Sequence, residues 1–545
     1  MVITHNFSGS RDAAPAAREI CHAALARKAA ASGIVLLKNN GILPLAATAP
    51  IALFGNGAGH TVKGGIGSGD VNNRENISIY EGLKAVGVPL TSESWIEDYE
   101  KRYMTARFQW RDKILEDAKK VENPFDAYAD NPFVLPQGRD IEPEDWRGAA
   151  AAVYVISRIS GEGKDRTAQE GDYRLSEQER EDLRRLDAAE LPVILLINAG
   201  GPVELTDLME QMHHLAAILQ ISQLGQEGGA AVADVLLGKV VSEGKLTATW
   251  ARRYTDYPSA DTFGACNGDL EKEIYTEGIY VGYRYFDSFD IQPLFPFGYG
   301  LSYTEFSVEF EGVEADAHAV RVAVKVSNTG KLYAGREVVQ VYAACPQNGG
   351  AKEYRRLVGF AKTQQLGPGE TQCVTIAVDA KQLAAFSQEK QAWILEQGVY
   401  TLFVGNSSVN CKPCAHLKVE TEKVLERTHP ICPVQHPFEE LKCAAPAMEK
   451  AALATQMKLP CVRFNPEPEE KAQAAIVPLA DGPVEELIPL LYGNITKGAS
   501  TLGSAGIRVP GSAGETSEAL ETSRGVRSLI MADGPAGLRL RQSYQ

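Results

Sequence analysis

No run of roughly eighteen consecutive apolar residues occurs anywhere in these 545 residues, so no segment can cross a bilayer as a helix. The opening Met1 to Lys28 mixes Arg, Glu and His with alanine and has no apolar core of the secretory kind. Cysteine is sparse and odd in number: nine, scattered from Cys21 to Cys461, do not make a disulfide framework. Reduced thiols in a cytoplasmic protein are the expectation. Basic residues are outnumbered, 55 Lys and Arg against 70 Asp and Glu for a net charge of −15, and they fall in scattered pairs such as Lys119-Lys120 and Arg355-Arg356. A nucleic-acid footprint needs a clustered basic face, so that class is excluded. No GxSxG elbow supports an acyl hydrolase, and no internal repeat is apparent.

What is present is ordinary for a globular protein, with 44% hydrophobic and 23% charged residues. The length suggests roughly three or four domains. Residues 30 to 250 alternate short apolar runs with helical patterns, as a doubly wound parallel sheet requires. Ile51 to Phe54, Val153 to Ser157, Val193 to Ile197 and Ala216 to Ile221 are the expected strands. Ser176-Glu-Gln-Glu179 is a capping box that starts a helix, with Leu183 and Leu186 as its buried stripe. A second helix is expected from about Glu227 to a stop at Gly238, and Glu97 to Arg147 reads as an insertion carrying one helix.

From Glu305 to about Val404 the period changes to two. Val320 to Val326, Glu337 to Tyr342, Gln372 to Val378 and Gly398 to Val404 read as strands of an antiparallel sandwich. Residues 420 to 483, rich in Pro, Glu, Lys and Ala, read as a linker with some helix. Cys411-Lys-Pro-Cys414 with His416 suggests a metal, but no second CxxC stands at zinc-site spacing. The glycine loop Gly55-Asn-Gly-Ala-Gly59 follows a strand and invites a dinucleotide, but its spacing is GxGxG and no helix opens at its end. The Tyr-rich run Tyr275 to Tyr285 is either core or a sugar platform.

The most informative stretch is Ser160-Gly-Glu-Gly-Lys-Asp-Arg166, which follows directly on the apolar run Ala149 to Ile159. An apolar, β-branched run breaking into Ser and Gly reads as a buried strand ending in an open loop. Ligands of open α/β sheets bind outside the carboxyl ends of strands, and glycines on both sides of Glu162 let backbone approach a ligand closely.

With Gly171-Asp-Tyr-Arg-Leu-Ser176 after it, that stretch resembles the acid/base loop of glycoside hydrolase family three, whose best-known members are β-glucosidases. Ala31 to Leu45, Gly225-Gln-Glu-Gly-Gly229, Ala233 to Gly238, Glu243-Gly-Lys-Leu246, Glu277 to Phe286 and Phe295 to Tyr303 are similar to further motifs of that family, in the right order. The resemblance covers roughly residues 25 to 410 and implies an α/β three-layer sandwich followed by a fibronectin type III-like sandwich. It also implies a permuted order, because Val509 to Ser517 and Met531-Ala-Asp-Gly-Pro-Ala-Gly-Leu-Arg539 resemble the approach to the family's barrel and its first strand and loop. A (β/α)8 barrel takes about 250 residues. Only six follow Arg539, so the expectation is a barrel begun and not completed. The expected segments are 1–29 (helical), 30–300 (α/β sandwich), 301–410 (fibronectin-like), 411–483 (linker) and 484–545 (start of the barrel).

For the chemistry, the resemblance makes Glu162 the proton donor of a retaining β-glycosidase acting on terminal β-linked sugars, without metal or cofactor. Such an enzyme needs a second carboxylate about 5–5.5 Å away as nucleophile. In the family it lies on a later barrel strand, which nothing in this chain matches. Asp533 and Arg539 match the loop that holds the non-reducing-end sugar, and Asp70 and Arg74 are candidate sugar contacts. Asp165 and Arg166 are ion-pair material for holding the loop's shape. The implied partners are small β-glycosides or oligosaccharides and a barrel-bearing chain or second copy, with no nucleic acid and no membrane. Two other classes stay open: a non-catalytic carbohydrate-binding or scaffolding fragment, and a nucleotide-binding oxidoreductase.

Overall fold

The computed structural model describes residues 14–531, apart from 67–70, 72, 122–126, 128–130, 160–165, 264–272, 349–351, 433–435, 437, 443–444, 468–482, 492, 494–513, 519–520 and 522–524. Its first layer system is built on a five-stranded sheet of β1 (Val35–Asn39), β2 (Ile51–Phe54), β3 (Ala151–Ser157), β4 (Val193–Asn198) and β5 (Leu215–Gln220). The spatial order is β1-β5-β4-β3-β2, parallel from β2 to β5, with β1 antiparallel to β5 at one edge. Strands β2 to β5 are buried along their whole length. That matches their continuous apolar character, since a parallel sheet carries helices on both faces. The four strands expected from sequence are present to within two residues. β1 was hidden in Ala31 to Leu45, because Val-Leu-Leu-Lys-Asn is too short to read as a strand without β5 beside it.

The helices are α1 (Ala17–Gly33), α2 (Ile79–Ala85), α3 (Glu93–Asp117), α4 (Pro143–Trp146), α5 (Glu177–Ala188), α6 (Thr206–Gln211) and α7 (Gly228–Leu236). Every residue of α7 is buried, which explains why it reads apolar all round. It approaches α2 so closely that a Cβ on Gly82 would meet the Gly229 carbonyl at 2.3 Å. Its single charge, Asp234, is held bidentate by Arg27 of α1 at 2.6 and 2.8 Å. α5 starts at the expected capping box, Ser176 Oγ accepting from Glu179 N, and buries Leu183 and Leu186.

The insertion helix α3 begins a few residues before the expected Glu97 and runs beside β2 in the same direction. Ser92 Oγ bonds both N and O of Leu53, Trp95 meets Phe54 edge-on at 5.6 Å, and Tyr103 stacks on His60 at 3.5 Å. At 1.5 Å of rise per residue, the remaining turns to Asp117 carry the helix about 20 Å further.

After α8 (Tyr283–Ser288) the chain enters a β-sandwich. One sheet is β10 (Thr371–Asp379), β7 (Ala319–Asn328) and β6 (Phe306–Ala315). Val320, Val322, Val324 and Val326 point inward from β7 and are fully buried, as the period of two required. The other sheet contains β8 (Val338–Ala344), β9 (Arg356–Lys362) and β13 (Gly398–Gly405). β11 (Ala385–Ser387) and β12 (Ala392–Leu395) form a hairpin beside it.

The expected boundary at 410 cuts this domain short. β14 (Cys411–Val419) pairs with β13 along its whole length, β15 (Lys423–Arg427) joins β12, and β16 (Cys461–Arg463) joins β14. Pro413 masked β14 in the sequence. It sits where the register shifts against Leu402 and Phe403, a bulge that needs no donor from proline. The remaining linker carries α10 (Ala445–Thr455), α9 (Ala380–Leu383) having come before it. Of the expected barrel start, the described residues show a short pair, β17 (Gly514–Glu515) with β18 (Ile530–Met531).

The described residues between 240 and 300 join the two main domains through buried polar and aromatic contacts. Arg355 is buried and bonds Asp287 at 2.6 Å, the Ser408 carbonyl and Cys411 Sγ, with the Tyr354 and Phe403 rings against its guanidinium. Tyr280 is fully buried with its hydroxyl donating to the Lys352 carbonyl, and Tyr283 packs on Tyr342. The tyrosine run is therefore mostly interdomain packing, with Tyr275 exposed.

Beneath α5, Tyr154 of β3 donates to the Asp182 carboxylate at 2.9 Å and Gln178 donates to its other oxygen. Burial pushes the Asp182 carboxyl up to about 6 from 3.8, against these two donors. A folded pKa above the unfolded one favours the protonated fold. Its contribution is complete below pH 3.8 and is lost as pH rises through 6. Asp182→Asn should therefore gain about 2–3 kcal/mol relative to wild type between pH 4 and pH 7.5, read from urea midpoints. A wild-type-minus-variant difference that does not change with pH would contradict this.

Candidate active site

The carboxyl ends of β2, β3 and β4 are laced together by two asparagines. Asn56 accepts from Ser157 N at 2.8 Å and donates to Ser157 O at 3.3 Å. Asn198 ends β4, is completely buried, accepts from Ser157 Oγ and Val62 N, and donates to Val62 O and Ser222 O. Every hydrogen-bonding position of that amide is used, so three loops are held in one register. The glycines of the GxGxG loop answer to the same crowding. Gly55 has φ +96°, and a Cβ there would lie 2.1 Å from the Val155 carbonyl. A Cβ on Gly57 would lie 1.9 Å from Ser157 Oγ. Those glycines serve contact with β3, and the next helix, α2, starts only at Ile79.

Glu162 lies outside the described residues, as do Asp165, Asp70, Asp533 and Arg539. The described flanks of the 160–165 stretch are the informative part. Upstream, Arg158 is buried and forms a bidentate pair with Glu179 at 2.7 and 2.8 Å. Its remaining donors go to the carbonyls of Ser157, Asp172 and Arg174. Downstream, Arg166 bonds the Asp172 carboxylate at 2.7 Å, the Asp172 carbonyl at 3.0 Å and the Pro202 carbonyl at 2.8 Å. Thr167 N donates to the other Asp172 carboxylate oxygen at 2.6 Å. Both ends of the stretch are thus fastened to one residue, Asp172.

Arg166 is ion-pair material as expected, with Asp172 as its partner. Arg158, Asp172 and Glu179 were missed. The available signal was Arg158 itself, a charge inside the apolar run Ala149 to Ile159, which calls for a buried carboxylate. Glu179 had been read only as half of a capping box; it is that and the partner of Arg158. Arg74 pairs with Glu19 of α1 at 2.8 Å, both side chains being well exposed. Cys411, Cys414 and His416 are taken up in packing: Cys414 Sγ donates to the Leu402 carbonyl, and His416 bonds Thr401 and the Met457 carbonyl.

Residues 34–283 match the family model of the glycosyl hydrolase family 3 C-terminal domain, and residues 337–408 match that of the fibronectin type III-like domain. This chain carries the C-terminal domain of glycosyl hydrolase family 3. Over 431 residues it is 36% identical to beta-glucosidase A of Butyrivibrio fibrisolvens, a match spanning 71% of this chain and 50% of that protein. It is 34% identical to a beta-glucosidase of Ruminococcus albus, over 75% of this chain and 42% of the relative. The solved beta-glucosidase 3B of Thermotoga neapolitana, in complex with alpha-D-glucose, superposes with a TM-score of 0.65 at 37% identity, over 74% of this chain and 55% of that one. The chain spans about half the length of the relatives it matches.

The family 3 domain places its two anchoring arginines differently in energy. Arg166 is partly open to water, whereas Arg158 and Glu179 are both enclosed. Removing one partner of an enclosed pair leaves an uncompensated charge. Glu179→Ala should therefore cost about 3–5 kcal/mol in urea unfolding, well beyond the loss from Glu179→Gln, which keeps an acceptor for Arg158. Equal losses in the two variants would contradict this, showing that the loss of charge common to both carries the whole effect and that the acceptor kept by glutamine contributes nothing.

Proposed function

We propose that this chain contributes the acid/base half of a retaining β-glycosidase of β-glucosidase type. Glu162 protonates the glycosidic oxygen as the bond to the anomeric carbon breaks and a carboxylate on the barrel attacks that carbon. In the second step Glu162, now ionised, takes a proton from water, which displaces the enzyme carboxylate with net retention. The observation that carries the reading is the double fastening of the flanks of Glu162 to Asp172 at the carboxyl end of β3, within a domain similar to those of beta-glucosidases. A general acid needs a fixed position and a carboxyl that stays protonated near neutral pH. Lys164 and Arg166 would draw its pKa down. The Asp172 carboxylate on Arg166 offsets one of those charges, and enclosure under a second domain supplies the rest.

Asp533 and Arg539 hold the non-reducing-end sugar in this reading, with Asp70 and Arg74 at the edge of the cleft. The substrates are terminal β-glucosides or related sugars. The thiols of Cys21, Cys373, Cys432 and Cys461 are free and exposed, which fits a reducing, cytoplasmic setting.

The role of Glu162 is tested in a hybrid in which residues 17–463, from α1 through β16, replace the matching part of the Butyrivibrio fibrisolvens enzyme. Glu162→Gln should cost about 100-fold or more on alkyl glucosides, and far less on aryl glucosides whose leaving group needs little protonation. Azide should then yield a β-glucosyl azide. Equal losses on both substrate types, with no azide product, would remove Glu162 from the donor role. The 545-residue chain assayed alone should leave aryl β-glucosides at the background rate, because one carboxyl cannot supply the roughly 8–23 kcal/mol of barrier lowering that enzymes achieve. Turnover by the chain alone would mean that it contains its own nucleophile.

A further inference from the structure

Beside the turn that anchors the Glu162 flanks, α5 and α6 leave a cavity of about 380 Å³. Pockets that hold small organic molecules run from about 300 to 1,000 Å³. Its apolar wall consists of Leu175, Leu183, Leu208 and Met212, the first two brought there by the turn and by α5, the others by α6 and its end. Charged side chains stand around the rim, and nearly all are already satisfied within the chain. Arg180 pairs with Glu170 and Arg184 with Glu181. Asp187 accepts from His214, Glu204 from Tyr254 N, and Asp207 from Arg253. Arg174 differs. Its carbonyl accepts from Arg158 and Gly171, but its exposed guanidinium has no partner among the described residues.

The geometry points to this cavity as a binding site for a small organic carboxylate with an apolar body, its carboxylate on Arg174 and its body against Leu175, Leu183, Leu208 and Met212. The sign follows from which charges remain free. The acidic rim groups each already hold a donor from this chain, which weakens their pull on a cation, whereas an anion finds in Arg174 a guanidinium that no carboxylate among the described residues engages. The planar guanidinium fork also matches a carboxylate in two-point contact. The size follows from the volume, which accommodates a bicyclic aromatic and not an oligosaccharide. The proposal does not depend on the reading of the sugar cleft.

The test uses the full chain with 2-naphthoate and its uncharged counterpart 2-naphthalenemethanol, followed by calorimetry and by the methyl resonance of Met212. Naphthoate should bind saturably, at least ~10-fold tighter than the alcohol, and shift the Met212 methyl. Arg174→Gln, a change at an exposed position, should bring the two affinities together while leaving the melting temperature unaltered. Leu208→Trp should fill the cavity and abolish both; if that variant melts early, the Met212 shift in the native chain still locates the site. No saturable binding at millimolar naphthoate, equal affinity for acid and alcohol, or binding that leaves Met212 unshifted each overturns the proposal.

Discussion

A guanidinium shut away from water must find acceptors for five N–H groups, and Arg158 imposes that demand at the end of β3. Glu179 supplies two, and the backbone at Ser157, Asp172 and Arg174 supplies the others. Satisfying Arg158 therefore fixes the start of α5, the turn at 171–175 and the exit of the strand in a single arrangement. Arg166 then fastens the return of the chain to the same Asp172. The segment between them is short and bound at both ends, so whatever Glu162 does is referred to a rigid platform.

A buried ion pair is weak grounds for stability, because desolvation offsets most of the attraction. Its use here is geometric. The same device recurs at the junction of the two main domains, where Arg355 is enclosed with Asp287 between aromatic rings. Burial pushes the Asp287 carboxyl up even with Arg355 beside it. In both places a planar, directional cation specifies an orientation that apolar packing alone would leave loose. Lys245 with Glu337 adds a further enclosed charge pair across the junction.

The relation to beta-glucosidases fits this division of labour. The matched part is the α/β domain with its fibronectin-like neighbour, and it covers about half of each relative. On the function proposed above, in which Glu162 is offered to a cleft completed by another domain, a stiff loop base and a stiff mount are needed. The asparagine lacing above the sheet and the charged junction beside it answer those two needs.

Periodicity alone determined the two domain types. Short, β-branched apolar runs at Ile51, Val153, Val193 and Ala216, bounded by turn residues, read as strands covered on both faces, and alternation at Val320 to Val326 reads as a half-buried one. The motif around Glu162 was legible because it is local, with its glycines and charges adjacent in sequence. What lay beyond the sequence depends on partners far apart in the chain. β1 needs β5 to be a strand, β14 needs a bulge to absorb Pro413, and the pairing of Arg158 with Glu179 joins a strand to a helix across 21 positions. The free guanidinium of Arg174 is of the same kind. Whether an arginine is paired depends on which carboxylates the fold brings within about 3 Å of it, and only the folded chain sets that distance.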